Sequence, residues 1–330
     1  MLLNQESTNM LLGSKQNIGL VGAGYWGKNL VRVFNELGVL KLVCDTNDEI
    51  LQKTKIDYPS IETTKDFNDL LQDKSLTGLV IATPAVTHYK LVVQALEASK
   101  NVFVEKPLAL NVKEGEELVK LAESRGLILM VGHLLLYHPA IVKLKEMIKQ
   151  GELGEIQYIC SNRLNFGKIR TEENVLWSFA PHDISIIIDL LGMPKKVWAQ
   201  GNAYLQKDIP DITLTFLEFE DNKAGHIFVS WLNPFKEQKL SVIGSKKMAV
   251  YDGVTNELTL FKHKVENSDN GYPQAIKADG EVIDFPDQEP LIQEAKHFLD
   301  CLQTKQTPKT SGQEALNVLK VLSLAQTSLE

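Results

Sequence analysis

A glycine-rich turn between an apolar run and an amphipathic segment constrains how this chain can begin to fold. Residues 17–21 are short and apolar, as in a buried strand, and Gly22, Gly24 and Gly27 follow at once. Residues 28–37 then carry apolar side chains at helical spacing. In that order the first glycine permits a tight turn, the second admits a pyrophosphate, and the third lets helix and strand pack closely. The turn therefore predicts a dinucleotide-binding βαβ unit.

An acidic residue ends the next predicted strand, 39–45. Asp45 lies at about the distance after the glycines where a carboxylate hydrogen-bonds the adenine ribose. Its charge would repel a 2′-phosphate, and Thr46 and Asn47 offer no arginine to bind one. We therefore predict NAD(H) over NADP(H). Comparable turnover with both cofactors at equal concentration would contradict this preference.

Strand and helix patterns alternate as far as residue 131. Further strands are predicted at 78–84, 101–104 and 127–131, with helices at 48–55, 87–98 and 111–125 between and beside them. Such regular alternation is typical of a doubly wound parallel sheet. We predict that residues 17–132 form an α/β, NAD-binding Rossmann domain.

A charged pair follows the strand 101–104. Pro107 cannot donate to a sheet ladder, so the strand ends before it and leaves Glu105 and Lys106 at its carboxyl end. Open α/β sheets bind ligands at that end of their strands. Glu105 and Lys106 are therefore candidate site residues, and a surface salt bridge is the alternative.

After Gly132 the pattern changes. Helices are predicted at 139–150 and at 182–191, the second starting after Pro181, and strand-like runs without intervening helices then extend from 197 to 261. Successive strands indicate an antiparallel sheet. The polar stretch 264–280 is predicted to be a loop, and two helices, 289–303 and 312–328, to end the chain. Residues 133–330 are thus predicted to form an α+β domain with an open, mostly antiparallel sheet.

Composition and charge exclude several classes of protein. A formal net charge of −7 argues against binding to a nucleic-acid backbone. No apolar run is long enough to span a bilayer, so we predict no membrane partner. The three cysteines lack metal-ligand spacing, which predicts no metal site and fits a cytoplasmic setting. Residues 1–16 mix leucines with polar side chains, and we expect a poorly ordered tail rather than a signal peptide.

Taken together, these motifs resemble the glucose–fructose oxidoreductase / inositol dehydrogenase (Gfo/Idh/MocA) family. The resemblance rests on the turn 22–27, on Thr83-Pro84, on 105–107 and on His182 after an Ala-Pro, and it covers nearly the whole chain beyond the tail. It implies a pyridine-nucleotide sugar or cyclitol dehydrogenase whose open-faced sheet commonly builds homodimers and homotetramers.

Within that family the chain resembles the branch that oxidises the 3-hydroxyl of UDP-N-acetylglucosamine-type sugars ahead of amination. The segments that carry this finer resemblance are 24–30, 132–139, 162–165 and 177–183. The resemblance implies a UDP-sugar as substrate. The oxidation state of the sugar C6 stays open.

Two side chains are candidates for the chemistry of alcohol oxidation. The ordinary pKa of histidine suits a base near neutrality, and His182 is the candidate. The ammonium of Lys106 would stabilise the alkoxide character that develops as hydride leaves. Many family members carry an aspartate four residues before this histidine, where the chain has Ser178. Asp183 points elsewhere on a helix, so the proton-relay partner of His182 stays open.

The remaining site residues are expected around these two. Expected cofactor contacts are Gly22, Gly24, Tyr25, Trp26, Gly27, Asp45, Thr83, Pro84, His88, Glu105 and Lys106. Expected substrate contacts are Tyr137, Arg163, Asn165, Lys168, Trp177 and His182. Arg163 and Asn165 are two apart in a strand-like run and face one way, and an arginine fork suits a diphosphate. The alternatives are interface packing for Tyr137 and solvated charge for the basic residues.

Three other functions compete with this prediction. The same reaction could act on the uronate of UDP-N-acetylglucosamine, or the protein could oxidise inositol or a simple sugar. A different class is a non-catalytic regulator that senses a dinucleotide. The presence of both Lys106 and His182 favours an enzyme.

Overall fold

The chain forms two compact units. The computed structural model describes residues 17–268 and 270–329. Among these residues, the first unit contains Asn17 to Gly132 together with Glu294–Gly312, and the second contains the described parts of His133–Gln293 and Gln313 to Leu329. The tail predicted for residues 1–16 lies outside the described residues.

The first unit is built on a six-stranded parallel sheet. Its strands are β1 (Ile18–Val21), β2 (Leu40–Cys44), β3 (Glu62–Thr64), β4 (Gly78–Ile81), β5 (Asn101–Val104) and β6 (Leu129–Val131). Its helices are α1 (Gly27–Glu36), α2 (Asp48–Asp57), α3 (Phe67–Gln72), α4 (His88–Glu97) and α5 (Val112–Ser124), with a short 3₁₀ turn at Ala85–Thr87. The strand order is β3-β2-β1-β4-β5-β6 and every pairing is parallel, which confirms the predicted doubly wound sheet.

The order of this sheet reverses direction between β1 and β4. Helices after β1 and β4 leave in opposite directions from this point, so the carboxyl ends of the two strands border an open crevice. The glycine turn follows β1 directly, and it therefore lies where an α/β sheet binds its ligand.

The second unit pairs helices with a larger sheet. Its helices are α6 (Pro139–Lys149), α7 (Val175–Leu191) and α9 (Gly312–Thr327), and a 3₁₀ turn covers Leu134–Tyr137; α8 (Pro290–Thr304) begins in this unit and continues in the first. Its strands are β7 (Ile156–Phe166), β8 (Lys196–Asn202), β9 (Ile212–Glu218), β10 (Ala224–Ser230), β11 (Leu232–Gly244), β12 (Met248–Asp252), β13 (Glu257–Phe261), β14 (Lys264–Asn267), β15 (Pro273–Ile276) and β16 (Gly280–Val282).

Eight of those strands form one mixed sheet in the order β16-β13-β12-β11-β7-β10-β9-β8. Only the β7–β10 pairing within it is parallel, so the predicted mostly antiparallel sheet is confirmed. The helix α7 packs against β7, β9 and β10. Side chains alternate along β9, with Thr213, Thr215 and Leu217 buried on one face.

The helix that carries His182 begins earlier than predicted. It starts at Val175, where the Asn174 side chain caps it by accepting a hydrogen bond from the Trp177 N–H at 3.1 Å. Pro181 therefore lies inside the helix and is not its first residue. A proline there removes one helical hydrogen bond, and the long buried face of α7 offsets that cost. His182 consequently lies in the second turn.

The prediction that residues 264–280 are a loop was wrong. Strands β14 and β15 pair with each other as a two-stranded antiparallel sheet, and β16 extends the large sheet by pairing with β13. Their side chains are exposed, so they lack the apolar alternation by which strands are predicted from sequence.

The assignment of the whole C-terminal region to the second domain also needs correction. Residues 294–312, including most of α8, belong to the first unit. The Phe298 ring lies 5.7 Å from that of Phe103 on β5, and a Cβ added to Gly78 on β4 would come within 3.1 Å of Phe298. Thr310 then accepts a hydrogen bond from the Val131 N–H. The apolar side of α8 thus covers one face of β4 and β5. This packing could not be predicted because α8 is far from these strands in the sequence.

Among residues 17–268 and 270–329, no helix has the length and apolar character needed to cross a membrane. The same residues contain no group of three or more His, Cys, Asp or Glu side chains placed to hold a metal ion.

The substitution Phe298→Ala tests whether α8 stabilises the first unit. Phe298 is fully buried. Its truncation is expected to lower the free energy of unfolding by about 3–5 kcal/mol, because it leaves a cavity over β5. Denaturant titration and hydrogen exchange of β4 and β5 measure the effect. The control Tyr272→Ala removes an exposed ring and is expected to change little. A loss below about 1 kcal/mol would contradict the assignment.

Candidate active site

The glycine turn leaves its backbone open where a ligand would approach. Gly22 has φ +88°, and a Cβ there would lie 2.8 Å from the Ala82 carbonyl. A Cβ on Gly27 would lie 1.9 Å from the Gly22 oxygen, so the start of α1 packs directly on the turn. At Gly24 no heavy atom comes within 4 Å of the position of a Cβ. Two glycines therefore serve close packing, and the third leaves room for a pyrophosphate.

Asp45 connects the end of β2 to this turn. Its Oδ2 accepts a hydrogen bond from the Ala23 N–H at 2.8 Å, and its Oδ1 accepts one from the Asn47 N–H at 2.9 Å. The side chain is half-buried, and a carboxylate has further lone pairs for ribose hydroxyls. Together with the open space at Gly24, this arrangement fits an NAD molecule with its adenosine end at β2.

Two aromatic residues of the turn have different environments. Tyr25 is 90% exposed, and the Lys28 ammonium lies 5.7 Å from the centre of its ring. The indole N–H of Trp26 donates to Oε1 of Glu105 at 2.6 Å. That bond links the glycine turn to the end of β5, and so Trp26 orients Glu105 in addition to any contact it makes with the cofactor.

His88 has a structural role that its sequence context did not indicate. Its ring is 1% exposed; Nδ1 lies 2.7 Å from the Pro107 carbonyl oxygen and Nε2 lies 2.9 Å from that of Thr83. Burial lowers the pKa of His88, although the two carbonyl contacts favour its charged form. Both ring nitrogens face strand-end carbonyls, so His88 links the ends of β4 and β5, and its contact with the cofactor stays a prediction.

Thr83, Pro84 and Lys106 lie at the strand ends that His88 joins. The hydroxyl oxygens of Thr83 and Thr87 are 2.7 Å apart, and Pro84 is exposed. Lys106 is half-buried beside Glu105, and its peptide bond to Pro107 is cis. These residues border the same edge of the sheet as the glycine turn, because the strands are parallel.

In the second unit, His182 is half-buried on α7 and Ser178 is buried one turn before it. Asp183 faces the sheet. Its Oδ1 accepts a hydrogen bond from the Ser161 hydroxyl at 2.7 Å, and both of its oxygens accept from Arg163 at 2.7 and 3.0 Å. The carboxylate next to the histidine is therefore fully engaged in holding α7 against β7.

This pairing gives Arg163 a structural role beside the predicted diphosphate contact, which stays a prediction. Burial opposes the charge on Arg163, but Asp183 outweighs it and the pKa of Arg163 is raised. Two of the three guanidinium nitrogens are bonded to that carboxylate. An adjacent cavity of about 30 Å³, lined in part by Tyr251, has room for about one water. The pair is thus a structural ion pair within the second unit.

The other predicted substrate residues differ in exposure. Tyr137 is buried, Asn165 is half-buried, and Lys168 is exposed. The Trp177 indole N–H donates to Oε1 of Gln326 at 3.1 Å, and the Asn174 amide donates to the same oxygen. Trp177 thus fastens the start of α7 to α9.

The sequence analysis missed a second polar contact close to this cluster. Nδ1 of His138 accepts the Ala140 N–H at the start of α6, so its Nε2 carries the proton and faces the Tyr251 hydroxyl at 3.1 Å. Burial raises the pKa of Tyr251 to about 12. No local pattern predicts this contact, because its two members are more than a hundred residues apart.

Comparison with known families agrees with this architecture. The model of the oxidoreductase family with an NAD-binding Rossmann fold matches residues 16–133, and that of the GFO/IDH/MocA C-terminal domain matches residues 141–250. The chain belongs to the Gfo/Idh/MocA oxidoreductase family. As a member it is an oxidoreductase with an NAD-binding Rossmann fold.

Similar proteins cover nearly the whole chain. A UDP-N-acetylglucosamine 3-dehydrogenase of Acidithiobacillus ferrooxidans is 23% identical over 94% of this chain and 96% of its own. The solved structure of that organism's UDP-N-acetylglucosamine 3-dehydrogenase GnnA has a TM-score of 0.84 at 22% identity, covering 95% and 97% of the two chains. A scyllo-inositol 2-dehydrogenase (NAD⁺) of Bacillus subtilis is 26% identical over 92% of this chain and 90% of its own.

The substitution Asp45→Ala tests the assignment of the ribose contact in this family member. Loss of a hydrogen bond to a charged acceptor is expected to weaken NAD⁺ binding about tenfold or more. Binding of NADP⁺ should weaken less, because the same change removes a repulsive charge. Titration calorimetry measures both, and Glu97→Ala, an exposed site, serves as control. An unchanged ratio of the two affinities would exclude Asp45 as the discriminating residue.

The substitution Asp183→Ala tests the structural role of Arg163. It is expected to cost about 3–5 kcal/mol of folding free energy, because Arg163 becomes a buried charge without its partner. The double variant Arg163→Met/Asp183→Leu should recover much of that loss. Lys195→Ala breaks an exposed ion pair in the same unit and is expected to cost less than about 1 kcal/mol. Denaturant titration measures the loss of folding free energy in each variant. Equal losses in Asp183→Ala and Lys195→Ala would argue against a buried Arg163–Asp183 pair.

Proposed function

We propose that this enzyme oxidises the C3 hydroxyl of a UDP-N-acetylhexosamine of the UDP-N-acetylglucosamine type to a 3-keto sugar, ahead of 3-amination. The observation that carries the proposal is similarity along almost the entire chain to a UDP-N-acetylglucosamine 3-dehydrogenase, in sequence and in fold. Four segments suggested this substrate from sequence: 24–30 lies in the first unit, whereas 162–165, 177–183 and all of 132–139 except Gly132 lie in the second.

The proposed chemistry uses two side chains of the protein. NAD, when bound, accepts the hydride that leaves the carbinol carbon. His182 takes the hydroxyl proton, and its half-buried position on α7 leaves part of the ring accessible. The Lys106 ammonium stabilises the negative charge that develops on the oxygen. Glu105, held by the Trp26 indole, keeps an opposite charge beside Lys106.

The diphosphate needs other contacts because Arg163 is paired with Asp183. Asn165 and Lys168 follow Arg163 by two and five residues; Asn165 is half-buried and Lys168 is exposed. We assign the diphosphate to Lys168 and a sugar hydroxyl or amide to Asn165. Tyr137 and Trp177 remain proposed substrate contacts, the second through its ring face, since its N–H is used by Gln326.

A cyclitol is the second candidate substrate. It is favoured by the 26% identity to a scyllo-inositol 2-dehydrogenase and by the absence of a free arginine at position 163. The uronate of UDP-N-acetylglucosamine is a variant of the first candidate. We also propose a homodimer or homotetramer formed through the open face of the eight-stranded sheet, where the exposed Trp198 stacks on Phe216 at 5.1 Å.

A parallel substrate panel tests the proposal. Reduction of NAD⁺ is expected with UDP-N-acetylglucosamine or its uronate when a carbonyl trap removes the product, and little is expected with myo- or scyllo-inositol. Lys106→Met and His182→Gln should each lower kcat by about 10²–10⁴. His182→Gln should leave NADH affinity unchanged, and Lys90→Met, at an exposed site, is the control.

Other outcomes of the panel discriminate the alternatives. Turnover with an inositol alone would replace the proposed substrate with a cyclitol. Absence of turnover with every substrate, combined with tight NADH binding, would favour the dinucleotide-sensing regulator. In that case Lys106→Met should leave the regulatory effect of the protein on its partner intact, because a sensor does not need the ammonium for chemistry.

A further inference from the structure

Helix α8 carries a carboxyl group into the interior of the first unit. Leu302 and Phe298 lie over Gly78, which pairs with Asn101 at the start of β5, and Phe298 also contacts Phe103. The helix therefore runs from the carboxyl end of β5 toward its start. Four helical residues advance about 6 Å, and two strand residues advance about 6.6 Å. One turn before Phe298 is Glu294, and two residues after Phe103 is Glu105.

Because these two distances are nearly equal, Glu294 on α8 is expected at the same position along the strand axis as Glu105 after β5. Phe103 contacts both Phe34 on α1 and Phe298 on α8, so the two helices cover the same face of the sheet. Glu105 also points to that face, because its Oε1 accepts the indole N–H of Trp26, the residue just before α1. Both carboxyl groups therefore occupy one side of the sheet at the end of β5.

Glu294 is buried in the interior of the first unit. It is 0% exposed, and neither of its carboxyl oxygens accepts a hydrogen bond from a described residue. Burial raises the pKa of Glu294 well above its ordinary value, and the charge of Glu105 raises it further. No cation in the described part of the chain lowers this pKa in turn. An isolated ionised carboxylate in such a place would be far more costly than a neutral acid.

Glu105 is held on its other sides. The Trp26 N–H lies 2.6 Å from Oε1, and the Lys106 N–H lies 3.4 Å from Oε2, a long contact. Gly132 closes a third side, since a Cβ there would lie 2.9 Å from Oε2.

We propose that Glu294 is a positioning residue for the reaction, which holds the Glu105 carboxylate in place beside Lys106 from the interior. It does so as an uncharged acid whose O–H donor is directed toward Glu105. A single negative charge then lies next to the Lys106 ammonium. An ionised Glu294 would repel Glu105 and would leave an excess negative charge where the alkoxide is to be stabilised. The proposal rests on the proposed dehydrogenase activity and on the role of Lys106 in it.

Two variants separate the donor from the volume of the side chain. Glu294→Gln keeps an uncharged N–H donor of the same length, whereas Glu294→Met keeps the volume and removes the donor. Glu294→Gln is expected to retain NADH affinity and kcat within about twofold of the wild type. Glu294→Met is expected to fold and to lose about tenfold or more in kcat with little change in the substrate KM. Asp300→Asn, at an exposed site on the same helix, is the matched control.

The pH dependence of stability gives a readout that needs no substrate. Between the ordinary glutamate pKa of about 4.3 and the raised value in the fold, the folded protein keeps a proton that the unfolded chain has lost. The wild type should therefore lose stability relative to Glu294→Gln as the pH rises from about 4.3, until Glu294 itself ionises. Infrared spectra at pH 7 should show a protonated carboxyl band that is missing in Glu294→Gln.

These measurements separate failure of this proposal from failure of the proposed function. Two results together support the inference even when no sugar is oxidised. The wild type shows the protonated carboxyl band, and NADH affinity is kept in Glu294→Gln but weakened in Glu294→Met. A wild type that lacks the band, or a Glu294→Met variant equal to the wild type in NADH affinity and in turnover, would overturn it. Turnover of a substrate other than a UDP-sugar would leave the role of Glu294 unchanged.

Discussion

Parallel strands bring their carboxyl ends to one edge of a sheet, and the candidate cofactor site depends on that constraint. In the first unit the glycine turn, Asp45, Thr83-Pro84 and Glu105-Lys106 each follow a different strand directly. Short contacts then fix these ends to one another: Asp45 bonds the turn, Trp26 bonds Glu105, and His88 lies between two strand-end carbonyls. The cofactor residues are thus positioned by neighbouring strand ends, and their spacing follows from the strand order.

The parts of the fold that could be predicted are those with a local cause. The order of strand, glycine turn and helix at 17–37 and the alternation that follows determine the parallel sheet, because each element shows its period or its glycine in its own residues. The start of α7 was predicted wrongly because Pro181 is common at a helix start, whereas the Asn174 cap and the buried face decide the boundary. The exposed pairs β14–β15 and β13–β16 have no apolar alternation, so only their partners define them as strands.

Within the site, residue type could be predicted better than residue role. His88 and Arg163 were recognised as unusual, but what each does depends on groups far away in sequence. His88 contacts the carbonyl of Pro107, nineteen residues on, and Arg163 contacts Asp183, twenty residues on. Residues 294–312 show the same limit on a larger scale, since their packing partner on β4 and β5 lies about two hundred residues earlier. The sequence gives the identity of the charged residues, but only the folded structure shows which of them are in contact.

The carboxyl groups of Asp183 and Glu294 are both buried, and they are accommodated in opposite ways. Asp183 is paired, because Arg163 and Ser161 supply donors to both of its oxygens. Glu294 has no such donors among the described residues, and its raised pKa favours the neutral acid instead. An apolar side chain of similar size would fill either volume without the cost of desolvating a polar group, so packing alone does not explain these choices. Each carboxyl group is close in the chain or in our proposal to a residue proposed for the chemistry: Asp183 follows His182 on α7, and Glu294 is proposed to hold Glu105, which precedes Lys106. Each acid is thus kept out of the proposed reaction, Asp183 by its pairing and Glu294, as we propose, by retaining its proton.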